Sequence, residues 1–231
     1  MTKIFCDIAD IESVKKFSKK NVVKGFTTNP SLMRKAGAKN YINYAKKILK
    51  FAKNKPVSLE VFADDYYSIK KQALKLNSLS NNVYVKIPII NSKGVFMGRV
   101  IKELNYRNIK LNITAVYNTS QTKKILSCVN KNSKVIISIF AGRMADAKKD
   151  PVPIFKKSIN LSKNYKNVNI LWASTREVYN FTQAKQLGCQ IITIPPQIIN
   201  KIEKPTKSFK QLTLETVNNF LTDAKKSKFK I

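Results

Sequence analysis

A single (β/α)8 barrel spanning residues 1–231, with one additional helix at the C-terminus, is the fold class this sequence predicts. Three observations predict it: apolar strand-like runs recur eight times, segments of helical period lie between them, and the glycine-rich first turn of a doubly wound sheet is missing. The first run, "KIFCDIA", puts Ile4, Cys6 and Ile8 on one face and Phe5 and Asp7 on the other, and "IESVKKFSKK" follows with helical period. After the second run, "VVKGFTT", comes the helical "YINYAKKILKFAKN". The third, "PVSLEVFA", sets Val57, Leu59 and Val61 against Ser58, Glu60 and Phe62 and leads into "YSIKKQALKLNSL". The fourth, "NVYVKIPI", lines one face with Val83, Val85, Ile87 and Ile89 yet carries Lys86, and "GRVIKELNYRN" follows. In the fifth, "IKLNITAV", Leu111, Ile113 and Ala115 oppose Asn112 and Thr114, before "SQTKKILSCVNK". The sixth, "KVIISIFA", sets Val135, Ile137 and Ile139 against Ser138 and Phe140, before "PIFKKSINLSKN". The runs "VNILWAS" and "QIITIP" complete the eight, and "SFKQLTLETVNNFLTDAKK" reads as the extra helix. A doubly wound open sheet is the competing architecture, but it usually has fewer repeats.

Composition narrows the chemistry. With 43% hydrophobic residues in 231, the chain can build a sizeable core. Asp7 and Asp10 interrupt the segment where a signal peptide needs an unbroken apolar stretch, and no run approaches membrane-spanning length, so a cytoplasmic protein with no membrane partner is expected. Cys6, Cys128 and Cys189 are odd in number and embedded in apolar segments, which fits reduced core thiols. The absence of histidine excludes Ser-His-Asp triads, cysteine–histidine dyads and histidine-rich zinc sites. No nucleotide-binding glycine signature is present either, so neither a metal nor a cofactor is expected. The charge of +31 raises nucleic-acid binding as a function, yet the lysines are spread along the whole chain. Dispersed charge supports only non-specific, salt-sensitive contacts, so no specific nucleic acid is expected and a basic binding protein on a barrel scaffold stays the remote alternative.

A lysine inside a buried strand is costly unless it is paired or functional. Taken singly, the polar residues on these strands have ordinary explanations: Asp7 as a turn or cap, Glu60 and Lys86 as a buried ion pair, Asn112 and Thr114 as partners of backbone groups. Strand parity changes that reading. If the aliphatic faces meet the helices, Asp7, Glu60, Lys86, Asn112, Thr114 and Ser138 share one cavity inside the barrel, toward its C-terminal end, where barrel enzymes keep their sites.

These residues stand in motifs that resemble the short transaldolase/fructose-6-phosphate aldolase family nearly end to end: "FCDIAD", "GFTTNPSL", "VSLEVFA", "VKIP", "LNIT", "ISIFAGRMAD" and "WASTR". The resemblance implies that Lys86 forms a Schiff base with a ketose C2 carbonyl, that Asp7 takes the proton from the C4 hydroxyl, and that Glu60 handles proton transfers around the carbinolamine. It further implies that Asn29, Asn112, Thr114 and Ser138 hold the sugar and the retained three-carbon enamine, and that the protein is a homo-oligomer acting on sugar phosphates. Arg143 and Arg176, in a chain that otherwise prefers lysine, stand at the ends of strands six and seven, and their forks suit phosphate. Gly142 and Ser174 beside them let the chain approach an anion closely. Glu60 with Phe140 is similar to the transaldolase pairing, whereas relatives that release free dihydroxyacetone tend to carry Gln and Tyr there. Transfer in the pentose phosphate pathway is therefore expected, with dihydroxyacetone release as the alternative. Ile139 and Ala141 depart from the family's usual residues beside Arg143, and Ile90 stands where a threonine is common.

Overall fold

Eight parallel strands close into a barrel in chain order, β1 hydrogen-bonding β2 and β8 returning to β1. They are β1 Lys3–Asp7, β2 Val23–Thr27, β3 Val57–Glu60, β4 Val83–Pro88, β5 Leu111–Val116, β6 Val135–Phe140, β7 Val168–Ala173 and β8 Ile191–Ile194. This computed structural model describes residues 1–228. Every strand lies inside one of the eight runs read from the sequence, and the predicted fold class is the observed one.

Between the strands run α1 Ile11–Ser18, α2 Pro30–Lys35, α3 Tyr41–Ala52, α4 Tyr66–Asn77, α5 Gly98–Tyr106, α6 Thr119–Leu126, α7 Ala141–Asp146, α8 Val152–Ser162, α9 Tyr179–Gln186 and α10 Pro196–Ile202. Side-chain caps start several of them. Asp10, Asn40 and Asp65 each accept the N–H three residues on, and Asn118 forms a reciprocal box with Gln121. Four helices are not among the segments of helical period in the sequence: α2, α7, α9 and α10, the last with seven residues. α2 and α7 have only six residues each, too few to show a period, and α9 lacks a side-chain cap.

The expected outward faces are fully buried: Val57, Leu59, Val85, Ile87, Leu111, Ile113, Ile137 and Ile139 are each 0% exposed. Burying such side chains stabilises by about 1.5–3 kcal/mol apiece, which fixes the register and with it the inward set. One position departs from strict alternation. Ala115 adopts φ 60° at a register shift between Ile113 and Val116, so Val116 rather than Ala115 takes the buried outward place.

Inside, Phe5, Tyr84, Ile136, Leu171, Ala173 and Ile191 form an apolar floor below the polar residues. Gly25 makes room for it, because a Cβ there would stand 2.6 Å from the Phe5 ring. At the N-terminal rim, amides lace successive loops: Asn82 Nδ2 donates to the carbonyls of Lys53 and Lys55, and Asn167 Nδ2 to those of Asn130 and Ser133. That end stabilises the barrel and leaves the other end for chemistry.

Clustering of contacts separates two compact units, residues 1–199 and residues from 200 onward. The second carries the expected extra helix, α11 Phe209–Ser227, capped by Ser208 with Gln211. None of its residues is buried, and Leu214, Val217, Phe220 and Leu221 are among its exposed apolar side chains. Among the described residues no helix is long and apolar enough to cross a membrane.

Candidate active site

At the C-terminal mouth of the barrel lies a cavity of about 380 Å³. Asp7, Asn29, Lys86, Asn112, Thr114, Ser138, Phe140, Arg143, Ser174 and Arg176 all line it. Glu60 does not; it lines a second cavity of about 380 Å³ beside the first, together with Pro88, Ile90 and Asp64. Lys86, which lines the first cavity, stands with its Nζ 2.9 Å from Oε2 of Glu60, which lines the second.

The placement follows from strand register. Glu60, Lys86 and Asn112 are directly paired neighbours across β3, β4 and β5, so their inward side chains form one row. Lys86 is only 7% exposed, and its ammonium also donates to the Thr28 carbonyl at 3.1 Å. A buried ammonium with a carboxylate and a carbonyl at hydrogen-bond distance is satisfied, which answers why the strand tolerates it. The ion-pair explanation of Lys86 and Glu60 therefore holds geometrically, and the cavity in front of Lys86 adds what a merely structural pair does not need.

Asp7 ends β1 and accepts a hydrogen bond from Thr27 Oγ1 at 2.7 Å; Thr27 Oγ1 is in turn 2.5 Å from Thr193 Oγ1. Burial raises the Asp7 carboxyl above its ordinary 3.8, the charge of Lys86 and the Thr27 hydroxyl pull it back, and Glu60 adds to the rise. Next to it, burial pushes the Cys6 thiol up as well, so Cys6 is an inert core group rather than a nucleophile.

On the opposite wall Ser138 Oγ donates to Asn112 Oδ1 at 2.7 Å, and Asn112 Nδ2 donates to Ser58 Oγ at 2.9 Å. This chain fixes which way the Asn112 amide faces. Thr114 Oγ1 is buried with no partner within the described residues, a hydroxyl left available to a molecule in the cavity. Asn29 faces the cavity while its Oδ1 caps α2 by accepting the Leu32 N–H.

Arg143 and Arg176 reach the same mouth from α7 and the loop after β7. Gly142 permits this, because a Cβ there would stand 1.8 Å from the Ser174 carbonyl oxygen, and Ser174 itself takes φ 64° to make the turn. Arg176 is engaged in a fork with Asp146, Nε to Oδ1 at 3.3 Å and Nη2 to Oδ2 at 2.5 Å, and Arg143 lies over the Phe140 ring at 5.8 Å. That fork holds the Asp146 carboxyl below its ordinary value.

Sequence reasoning missed Thr27, Thr193 and Lys35. Thr27 stands in "GFTTNPSL" beside Asn29 with nothing in the sequence to single it out, and Lys35 carries no signal among so many lysines. Ile139 and Ala141 are buried and hold no group in the cavity, while Ile90 lines only the neighbouring one. Among the described residues no group of His, Cys, Asp and Glu is placed to hold a metal.

Comparison with known proteins identifies the family. The family described as Transaldolase/Fructose-6-phosphate aldolase matches residues 4–231. A probable transaldolase of Nitrosopumilus maritimus (strain SCM1) is 32% identical, with 98% of this chain and 96% of the relative covered. One of Thermoplasma volcanium is 33% identical, covering 97% and 96%, and one of Bartonella henselae 31%, covering 97% and 97%. The N-acetylneuraminate lyase of Mycoplasma synoviae shares the fold at a TM-score of 0.54 and 12% identity, over 83% of this chain and 68% of that one. With matched residues running from 4 to 231, the chain belongs to the transaldolase/fructose-6-phosphate aldolase family.

Proposed function

We propose that the protein is a transaldolase that moves a dihydroxyacetone unit from a ketose phosphate, fructose 6-phosphate or sedoheptulose 7-phosphate, to an aldose phosphate through a Schiff base on Lys86, in the pentose phosphate pathway of the cytoplasm. The observation that carries this is Lys86: an amine 7% exposed, 2.9 Å from a carboxylate, and open to a cavity that also holds Asp7. An ammonium cannot attack a carbonyl. Glu60 is within reach to take its proton, and the same carboxyl then returns a proton to the carbinolamine hydroxyl as water leaves. The iminium so formed withdraws electrons from C3, and Asp7 accepts the C4 hydroxyl proton as the C3–C4 bond breaks. Asn112, oriented by Ser138, and the free Thr114 hydroxyl hold the retained enamine. These protein groups suffice for the chemistry without a metal or cofactor.

The deciding assay is fructose 6-phosphate with and without erythrose 4-phosphate. Transfer predicts product only with the acceptor present; acceptor-independent dihydroxyacetone would establish the aldolase reading, and inertness would sink both. Phe140 favours transfer because it lines the cavity with no hydroxyl that could deliver a proton or water to the enamine. Phe140→Tyr is therefore expected to raise free dihydroxyacetone relative to transfer, and an unchanged product ratio would remove that argument.

Phosphate recognition falls to Arg143, Arg176 and the turn at Ser174. Because Asp146 occupies the Arg176 fork as a phosphate group would, Asp146→Asn should lower KM for phosphorylated ketoses about threefold to tenfold, by freeing the donors. Arg176→Lys or Arg143→Lys should raise it, since charge is kept and fork geometry lost. Equal discrimination between phosphorylated and unphosphorylated sugars in all three variants would place the phosphate elsewhere. The exposed apolar side chains of α11 fit the homo-oligomer that family membership suggests, which sedimentation of the purified chain would read directly.

A further inference from the structure

We infer that Tyr41, a residue outside the cavity, is the positioning residue of the Lys86–Glu60 pair, because its hydroxyl replaces a missing piece of strand β2 beside Glu60. The inference rests on the proposed Schiff-base function and adds a group that neither the motifs nor the cavity lining identifies.

The register of β2 against β3 shows what is missing. Phe26 N–H donates to the Pro56 carbonyl and Thr28 N–H to the Ser58 carbonyl, so even-numbered residues of β3 turn their backbone groups toward β2. The next in that series is Glu60. Its carbonyl would take the N–H of residue 30, but residue 30 is Pro, which has none and opens α2 instead. Its N–H would donate to the Thr28 carbonyl, but that oxygen accepts from Lys86 Nζ at 3.1 Å. Glu60 would thus carry two unpaired backbone groups at the strand end that holds a catalytic carboxylate.

One phenol satisfies both. Tyr41 Oη accepts the Glu60 N–H at 3.0 Å and donates to the Glu60 carbonyl at 2.8 Å. The tyrosine is itself held: it begins α3, whose cap Asn40 accepts the Asn43 N–H at 3.0 Å, and its ring packs edge-on to Phe62 with centroids 5.4 Å apart. The substitution has two consequences. Glu60 stays in strand geometry one step beyond where β2 ends, which aims its carboxylate at Lys86, and the Thr28 carbonyl is released from the ladder to receive the ammonium. Tyr41 therefore sets the position of the carboxylate directly and that of the amine through Thr28. Burial pushes its phenol up from the ordinary tyrosine value, so it serves as a neutral donor and acceptor.

The test combines amide exchange with kinetics. In the unaltered chain the Glu60 amide should be protected like a strand amide; exchange as fast as an unbonded loop amide would overturn the inference whatever the activity. Tyr41→Phe should speed exchange at Glu60 and lower kcat about tenfold while KM for fructose 6-phosphate moves less than about twofold. In a Glu60→Ala background, where no carboxylate is left to aim, the same substitution should change kcat by less than about twofold. Tyr44→Phe, which removes a similar hydrogen bond from the same helix to the Ala36 carbonyl, serves as the control and should leave these values unchanged. A tenfold loss that persists in the Glu60→Ala background would mean that Tyr41 acts only on general stability and would overturn the assignment, as would a Tyr41→Phe protein with unaltered kcat. An unaltered chain that never forms an adduct with a ketose would instead sink the Schiff-base function, a distinguishable result.

Discussion

Lys86→Met is expected to fold, to show no turnover of fructose 6-phosphate, and to give no adduct when borohydride is added with the sugar. The unaltered chain should be trapped as a dihydroxyacetone derivative on the peptide carrying Lys86, with irreversible loss of activity. Methionine keeps the aliphatic length that packs in β4 and removes the nucleophile, so the loss should exceed about 10³-fold in kcat, with no alternative group to take over. Specificity for one lysine is the discriminating part in a chain with 44 Lys+Arg. Exposed lysines face solvent and hold no bound carbonyl in place, whereas Lys86 is 7% exposed, faces a cavity and has a proton acceptor 2.9 Å away. The substitution also leaves Glu60 without its cation, which destabilises by about 3–5 kcal/mol if the carboxylate stays charged and less if it takes up a proton. Circular dichroism is the check that the protein remains folded. A folded Lys86→Met chain that still cleaved or transferred the sugar, or an adduct on a different lysine, would reduce Lys86 to the partner in a buried ion pair.

What could be read in advance was whatever depends on strand parity. Leu111 and Ile113 had to face the helices, so Asn112 and Thr114 had to face inward, and the same step-by-two logic puts Lys86 and Ser138 in the cavity with them, while Glu60, expected there too, opens onto the neighbouring cavity. Arg143 and Arg176 stood out because arginine is rare in this chain. Features that depend on where a strand stops were not legible. Tyr41 lies in a helical segment and is 19 positions from Glu60; only the early end of β2 at a proline makes it matter. Asp146 looked like any surface carboxylate until the turn at Ser174 brought Arg176 across to it. Short helices such as α2 and α7 escaped because six residues cannot display a helical period. The bulge at Ala115 had no marker, since the residue that adopts the left-handed conformation there is alanine and not glycine.

Asp7→Asn should separate stability from activity in opposite directions. The Asp7 carboxyl is raised above its ordinary 3.8 in the folded chain, chiefly by burial, against which Lys86 and Thr27 act only in part. A carboxyl whose folded value lies above its unfolded one stabilises the fold fully below the unfolded value and loses that contribution as pH rises through the folded one. Ionised Asp7 at neutral pH is therefore a cost to the fold. Asparagine avoids it while keeping an oxygen that can accept the Thr27 hydroxyl. The expected result is a higher Tm for Asp7→Asn than for the unaltered chain at pH 8, with the advantage shrinking on acidification and gone by about pH 3, below the ordinary carboxyl value. Catalysis needs the opposite form. Only ionised Asp7 can take the C4 hydroxyl proton, so the acid limb of kcat should lie above the usual carboxylate range, and the raised value makes the group a stronger base at neutrality than an ordinary aspartate. Removing it should cost about 10²–10⁴-fold in cleavage, while borohydride trapping still labels Lys86, because imine formation precedes the step that uses Asp7. A variant that cleaves within about threefold of the unaltered rate, or whose Tm falls below it at pH 8, would overturn the assignment of Asp7 as the buried base that the fold tolerates for the sake of the reaction.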